Sequence, residues 1–298
     1  MLSSSSLEYK EALGILADST LYVDHITDAI SRQIIPRLSQ TNTMIDVGAG
    51  MGILAYRLKN KFKEVTVVDV NPEVEKELKS LNFNVEICNF LDFRPERKYD
   101  FVLCSHVMYH YNSAEMKLFI DKLLSLVNPG GYCFIALIAP RGRNHVFHLQ
   151  YNPNYVSSQQ IISILDDEKI PYERIQAMAY PLISKDMHTM KSLLKFFLIE
   201  NCQSNRSDLL PADEIDKIDR LSFSEAVKCK SGDGYAFEQE DDYMVIAYCH
   251  AIKQALILQC MNPSTLIQIT ILSLMGPMGV SYPHVRTHVN RCAQRIPN

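Results

Sequence analysis

The sequence predicts an α/β fold built on a doubly wound, mostly parallel sheet. Three observations carry this. Short strand-like runs alternate with helical stretches between residues 43 and 138, and such alternation places helices on both faces of a parallel sheet. The first run, Met44-Ile45-Asp46-Val47, passes straight into Gly48-Ala49-Gly50-Met51-Gly52 and then into a helical stretch. That strand–turn–helix order is where such sheets hold ligands. The 298 residues, 47 % of them hydrophobic, suffice for a substantial core.

The elements follow in order. Residues 7–38 read as helical; Ser19-Thr20 is placed to cap a helix, and Ile26, Ile30, Ile34 and Leu38 recur every fourth residue on one face. Thr43–Val47 is the first strand. Glu64–Val70 is the second, β-branched and stopped by Asn71-Pro72. A helix starts at Pro72, with Glu73 and Glu75 suited to its positive end. Asn84–Cys88 and Asp100–Cys104 are the third and fourth strands. Ser113–Val127 is a helix with Leu118, Ile120, Leu123, Leu124 and Val127 inward, Asn128-Pro129-Gly130-Gly131 is a turn, and Tyr132–Ile138 is the fifth strand.

After Pro140 the pattern loosens. Ser157–Asp167, Lys185–Glu200 and Leu210–Leu221 read as helices, with a short strand near Arg174–Ala179. Gly232-Asp233-Gly234 is a turn, and Tyr243–Tyr248 is a last apolar strand returning to the sheet. The excursion over 141–240 is the natural place for a cap over a substrate. Beyond His250, Ala251–Cys260 reads as a helix and Tyr282–Asn298 as disordered. Leu266–Met275 is apolar, but Asn262, Pro263, Gln268, Gly276 and Pro277 keep it below the ~20 apolar residues that span a bilayer.

Charge and cysteine usage narrow the class. The net charge of −4 offers no basic field for nucleic acid. Eight cysteines are scattered without a C-x-x-C pair, and Cys88, Cys104 and Cys133 fall in or beside strand-like runs as small hydrophobes. No metal site is expected. Met1–Lys10 is polar, so no secretory leader is expected, and a reducing, cytoplasmic setting follows.

The glycine turn sets the ligand. Glycines at alternate positions let a small molecule press against bare backbone, where a Cβ would collide. The helix after it, Ile53–Leu58, points free N–H groups the same way. The dinucleotide fingerprint G-x-G-x-x-G requires a third glycine where this chain has Ile53; here the glycine comes one place early, at Gly52, and Asp46 stands two places before Gly48. Packing alone accounts poorly for three glycines and an acid at one strand end.

This D-x-G-x-G-x-G pattern resembles the first motif of class I S-adenosylmethionine-dependent methyltransferases. Further landmarks are similar to the same family: Asp69 at the end of the second strand, Asn89-Phe90 past the third, Ser105-His106 after the fourth, and Leu126-Val127-Asn128-Pro129-Gly130-Gly131 before the fifth. They cover residues 43–138. The resemblance implies a Rossmann-like, seven-stranded, mostly parallel sheet with S-adenosyl-L-methionine as cofactor. It implies a helical N-terminal lid at 1–40, a cofactor-binding core at 41–140, a cap with the final strands of the same domain at 141–250, and a C-terminal extension at 251–298. The cofactor would meet Asp46, Gly48, Ala49, Gly50 and Gly52, then Asp69 and Val70 at the ribose, Asn89 and Phe90 at the adenine, and Ser105. Asp69 accepts ribose hydroxyl hydrogens or caps the helix at Pro72. The Asn89 carbonyl accepts from the adenine amine, while Phe90 stacks on the ring, flanks it, or is simply buried.

A longer resemblance, to histamine N-methyltransferase-like enzymes, places His106 and Tyr109 on the substrate wall. It rests on the helix around Ser19-Thr20, on Tyr99-Asp100-Phe101 through Met108-Tyr109-His110, on the stretch from Tyr155, and on the late strand. The acceptor-binding glutamate of those enzymes follows the Ser-Thr pair; here Leu21 stands there, so the resemblance does not reach histamine itself. A closing N-terminal helix, using Tyr9 or Tyr22, is compatible with it.

For an acceptor, the protein mainly positions the nucleophile and excludes water, with a base only where a proton must leave. His106 and His110 are the candidates, as bases or as neutral hydrogen-bonding walls. Tyr109 contacts the acceptor or packs in the core. Glu240-Asp241-Asp242 holds a cationic amine or forms a solvated acidic turn. Arg141, Arg143, His145 and His148 meet a carboxylate or phosphate, or face solvent. The expected partner is a small-molecule acceptor, with no nucleic acid and no membrane span; the oligomeric state is not legible. The leading expectation is methyl transfer to nitrogen or oxygen of a small molecule. A protein or peptide methyltransferase and a non-catalytic cofactor-binding module are the alternatives, and Ile53 disfavours an NAD-dependent oxidoreductase.

Overall fold

The computed structural model describes residues 7–176, 179–202 and 210–248. The chain divides into two units, Met1–Cys249 and His250–Asn298. The second unit, with the expectations made for 251–260, 266–275 and 282–298, lies outside the described residues.

The chain opens with α1 (Leu7–Ser19) and α2 (Tyr22–Ala29), the latter continuing through a π turn at Ile30–Ile34 and a 3-10 turn at Ile35–Arg37. Ile26, Ile30 and Ile34 are all buried, as their spacing predicts. The π turn has more residues per turn than an α-helix, which brings a strict fourfold repeat back to the same face. Leu21, not Ser19 or Thr20, is the N-cap of α2 and makes no side-chain cap, although Thr20 Oγ1 accepts from the Tyr22 N–H at 3.3 Å.

Next come β1 (Thr43–Val47), α3 (Ile53–Leu58), β2 (Glu64–Asp69), α4 (Glu75–Ser80), β3 (Asn84–Ile87), β4 (Tyr99–Ser105), α5 (Ser113–Ser125) and β5 (Val127–Ile138). The Pro72 start is a 3-10 turn, Pro72–Val74, and its N-cap is Asn71, whose side chain accepts from the Glu73 N–H. Asn112 and Glu115 form a capping box on α5. Leu118 is 61 % exposed, against expectation. Met116, Phe119, Ile120 and Leu123 define the buried stripe of α5, and position 118 lies on the opposite side of a 3.6-residue turn. Asn128–Gly131 is not a free turn but part of β5. Its register against β4 jumps from Tyr99↔Val127 to Phe101↔Tyr132, so the extra residues form a bulge.

The remaining elements are α6 (Gly142–Tyr151), α7 (Ser158–Asp167), β6 (Glu173–Gln176), β7 (Tyr180–Ser184), α8 (Met187–Cys202), α9 (Ala212–Lys228), β8 (Lys230–Ser231), β9 (Gly234–Gln239) and β10 (Asp241–Ala247). The central sheet has seven strands in the order β3-β2-β1-β4-β5-β10-β6. The first five are parallel; β10 runs antiparallel to both β5 and β6. β6 is thus an edge of the main sheet rather than part of the cap. The cap contributes a second antiparallel sheet, β7-β9-β8. One core cluster joins α2, the π turn, α3 and the sheet; another joins α6, α8, α9 and the small sheet, with Leu13 and Leu16 of α1 packed against it.

Candidate active site

Strand order reverses between β1 and β4, and the crevice beyond their carboxyl ends is the ligand position of such sheets. A cavity of about 350 Å³ lies there, within the size range of small-molecule sites.

One end of this cavity is made of backbone. Gly48, Gly50 and Gly52 have φ of 72°, 54° and 71°, left-handed values that residues with a Cβ adopt at a cost. A Cβ on Gly48 would lie 2.2 Å from Val107 Cγ2, so β4's exit packs directly on the turn. Gly52 is not a wall of the cavity; a Cβ there would lie 2.5 Å from Leu78 Cδ2, and its role is to seat α3 and the turn against α4. The Asp69 carboxylate fixes the turn from the side. Oδ2 accepts from the Gly50 N–H at 2.7 Å and Oδ1 from the Asn71 N–H at 2.8 Å.

Asp46, one residue before the end of β1, is buried and borders the cavity. Burial first, and then the charge of Asp69, push its carboxyl up to about 7, against a backbone hydrogen bond from Ala55. Its Oδ2 has no hydrogen-bond partner among the described residues. A buried acceptor of this kind is costly until something donates to it.

Val70, Asn89, Phe90 and Ser105 also line the cavity. Asn89 is committed to its own loop: Oδ1 accepts from the Leu91 N–H at 2.9 Å and from the Tyr111 hydroxyl at 3.3 Å. Both contacts fall on the oxygen expected to accept from a ligand amine. Phe90 is buried against Phe119, with centroids 4.7 Å apart, so it flanks the space rather than presenting a stacking face. The Ser105 hydroxyl has no hydrogen-bond partner among the described residues.

The other end is made of side chains. His106, Tyr109 and His110 line it together with Tyr22, Tyr155, Tyr180 and Glu200. His106 has φ of 56° and is tied by its N–H to the Ala136 carbonyl. Its Nε2 lies 3.1 Å from Asp241 Oδ2, and the Tyr22 ring meets its ring edge to face at 6.0 Å. Burial works to lower the His106 pKa, but the charge and hydrogen bond of Asp241, with Glu200, outweigh it, and the net direction is upward. Burial alone takes His110 down to about 4, so it is neutral at pH 7. Tyr109 donates from its hydroxyl to Glu200 Oε1 at 3.3 Å. Tyr22 belongs to this wall; the side chain of Tyr9 is outside the described residues.

Sequence reasoning missed Tyr180 and Glu200. Glu200 falls on α8 with Leu193, Phe196 and Phe197 at helical spacing, and a carboxylate on an apolar stripe was the signal available. The acidic run 240–242 is not a solvated turn, because Asp241 and Asp242 are both 0 % exposed inside β10. In the basic group after β5 both arginines are half-buried and already paired. Arg141 pairs with Glu240 and Asp242, Arg143 pairs with Glu225, and His148 stacks on Tyr155 at 4.2 Å in the cavity wall. Among the described residues no His/Cys/Asp/Glu group could hold a metal ion, and no helix is long and apolar enough to cross a membrane.

Comparison with known proteins identifies a family through one sequence profile. A sequence profile of the methyltransferase domain matches residues 22–181. An uncharacterized methyltransferase of Mycobacterium tuberculosis is 29 % identical over 115 residues, covering 37 % of this chain and 57 % of that protein. An uncharacterized protein of Methanocaldococcus jannaschii is 26 % identical over 149 residues, covering 44 % and 40 %. The chain therefore spans little more than half the length of the mycobacterial relative. The solved structure of an N-methyltransferase from Bradyrhizobium japonicum, in complex with S-adenosylhomocysteine, aligns with a TM-score of 0.46 at 14 % identity, covering 80 % of this chain and 97 % of that one.

Proposed function

This chain belongs to the methyltransferase domain family, and from that premise we propose that it transfers a methyl group from S-adenosylmethionine to a nitrogen or oxygen of a small molecule. The observation that carries the reading is the cradle of Gly48, Gly50, Asp46 and Asp69, open to the same cavity as His106 and Tyr109.

The residues fit the cofactor. Asp46 Oδ2, buried without a donor, suits the ammonium of the methionine part. The bare backbone of Gly48–Gly50 admits close approach, the Asp69 carboxylate suits ribose hydroxyls, and Val70, Asn89 and Phe90, which line the cavity, suit the adenine. Bound there, S-adenosylmethionine supplies a methyl carbon activated by its sulfonium. Every other contribution comes from the chain. Asp46, Asp69, Glu115 and Glu200 line the cavity while no Lys or Arg among the described residues does, so its field favours cationic groups. Leu13 and Leu16 of α1 and Tyr22 of α2 close one side and keep water from the reacting atoms. Tyr109 and His110 hold the acceptor, His110 as a neutral group, and His106 takes a proton where one must leave.

We take residues 1–40 as the lid, 141–250 as the cap with the last strands, and 251–298 as an extension. The size of the cavity, about 350 Å³, supports a small-molecule acceptor. The cytoplasm is the setting we assign, on the strength of the reduced thiols Cys104 and Cys133 buried in the sheet. The test incubates the full chain with methyl-labelled S-adenosylmethionine and a metabolite extract. Label in a small-molecule product is expected. Label only in macromolecules points to a peptide or protein acceptor, and binding without transfer to a non-catalytic module.

A further inference from the structure

The neighbouring acids of β10 are held very differently. Successive strand residues face opposite sides of a sheet. Asp242 takes the side of two arginines: Arg141 at 3.0 Å, Arg174 at 2.7 Å, and the Ser158 hydroxyl at 2.7 Å. Those hydrogen bonds overcome burial and hold its carboxyl below the ordinary range. Asp241 is equally buried but takes the side of His106 and Tyr180, which line the cavity. The Tyr180 hydroxyl donates to its Oδ2 at 2.5 Å, His106 Nε2 lies 3.1 Å from the same oxygen, and Oδ1 has no hydrogen-bond partner among the described residues. A buried carboxylate needs a compensating cation, and the group positioned to become one is His106.

His106 is itself held in an unusual way. Its left-handed φ is rare for a residue with a Cβ, and such strain collects at functional sites. The fold maintains it through the Ala136 carbonyl and through Asp241. With Nε2–H donated to Asp241, Nδ1 is the nitrogen left to accept a proton. The groups facing this ring come from five elements: Asp241 of β10, Tyr22 of α2, Glu200 of α8 through its charge, His148 of α6, whose own titration feels His106, and Tyr180 of β7 by way of Asp241.

We propose that Asp241 is the positioning residue of a histidine–carboxylate pair, orienting His106 so that Nδ1 takes the acceptor's proton and then balancing the imidazolium. This rests on the methyl-transfer reading above. The acceptor's proton goes to Nδ1, before attack for a protonated amine or with it for a hydroxyl; the lone pair then forms the bond to the methyl carbon, and the carbon–sulfur bond breaks with its electron pair staying on sulfur. The acceptor therefore belongs to the class that must lose a proton on methylation, a protonated amine or a hydroxyl. A nucleophile already ionised at neutral pH needs no such pair.

The test uses full-length protein with carbon-13 histidine, loaded with S-adenosylhomocysteine, and follows the ring of His106 by NMR. The resonance is assigned by its loss in His106→Gln. It is expected to titrate above the usual ~6.5, to fall by a unit or more in Asp241→Asn, and to rise further in Tyr180→Phe, where the carboxylate loses a competing donor. The apparent pKa of methyl transfer into the metabolite extract is expected to fall with it in Asp241→Asn. Titration at or below the ordinary value in the wild type, or identical pH profiles in wild type and Asp241→Asn, overturns the proposal. Should Asp241→Asn not fold, the wild-type titration and Tyr180→Phe decide it alone. Failure to bind S-adenosylhomocysteine at all overturns the methyl-transfer reading instead, so the two failures are separate.

Discussion

The two ends of the cavity are built from different material. At the Gly48 end the wall is main chain, shaped by left-handed glycines and pinned by one carboxylate from the adjacent strand. At the His106 end the wall is side chains, drawn from α2, α6, α8, β7 and the loop after β4. A main-chain cradle leaves little room for sequence change, because a Cβ at Gly48, Gly50 or Gly52 meets Val107, Leu13 or Leu78. A side-chain wall can be exchanged residue by residue while the sheet beneath it stays the same. The first end suits a constant cofactor, and the second a particular acceptor.

The largest effect is expected at Gly50. Gly50→Arg is expected to weaken S-adenosylhomocysteine binding by more than 100-fold. A side chain there enters the cradle 3.3 Å from Leu13 at a φ of 54°, while the backbone penalty is only about 1–2 kcal/mol. Calorimetric titration alongside a melting curve separates lost binding from lost fold. At the other end, His106→Ala is expected to leave binding within twofold and to lower methyl transfer by about 100-fold or more, the scale of general-base removal. Unchanged transfer takes His106 out of the chemistry.

At Asp46 the expected effect is a pH dependence of binding. Its carboxyl sits at about 7 in the free protein, and an incoming ammonium favours the ionised form. Binding then releases a proton below that value, so affinity rises with pH up to about 7 and levels off above it. Titrations in buffers of different ionisation enthalpy measure the proton directly, and uptake instead of release contradicts the assignment. The smallest effect is expected at Lys10, which pairs with Glu77 across the surface at 2.6 Å. Lys10→Ala is expected to change affinity by no more than about fivefold, since exposed pairs contribute about 0–1 kcal/mol.

The same difference decides what could be read from sequence. β1, Gly48–Gly52 and Asp69 are legible because the cradle is nearly contiguous and its residue types follow from backbone geometry. The acceptor end is not contiguous. Glu200 reaches the cavity only because α8 packs its apolar stripe inward, and Tyr180 only because β7 leaves the main sheet. Asp241 and Asp242 read as one acidic run until the strand's alternation separates them, one toward His106 and one toward Arg141 and Arg174. Leu118 and the β5 bulge show the same limit: apolar character and turn residues are local, but which face or register they take is set by partners far along the chain.

We propose the Gly48–Asp69 cradle as a site for S-adenosylmethionine and not for a dinucleotide. Equilibrium titration of the full chain with S-adenosylhomocysteine, and separately with NAD, tests it most directly. The account predicts S-adenosylhomocysteine binding in roughly the micromolar to sub-millimolar range usual for enzyme ligands and no measurable NAD binding. Tight NAD binding, or no binding of S-adenosylhomocysteine, contradicts it.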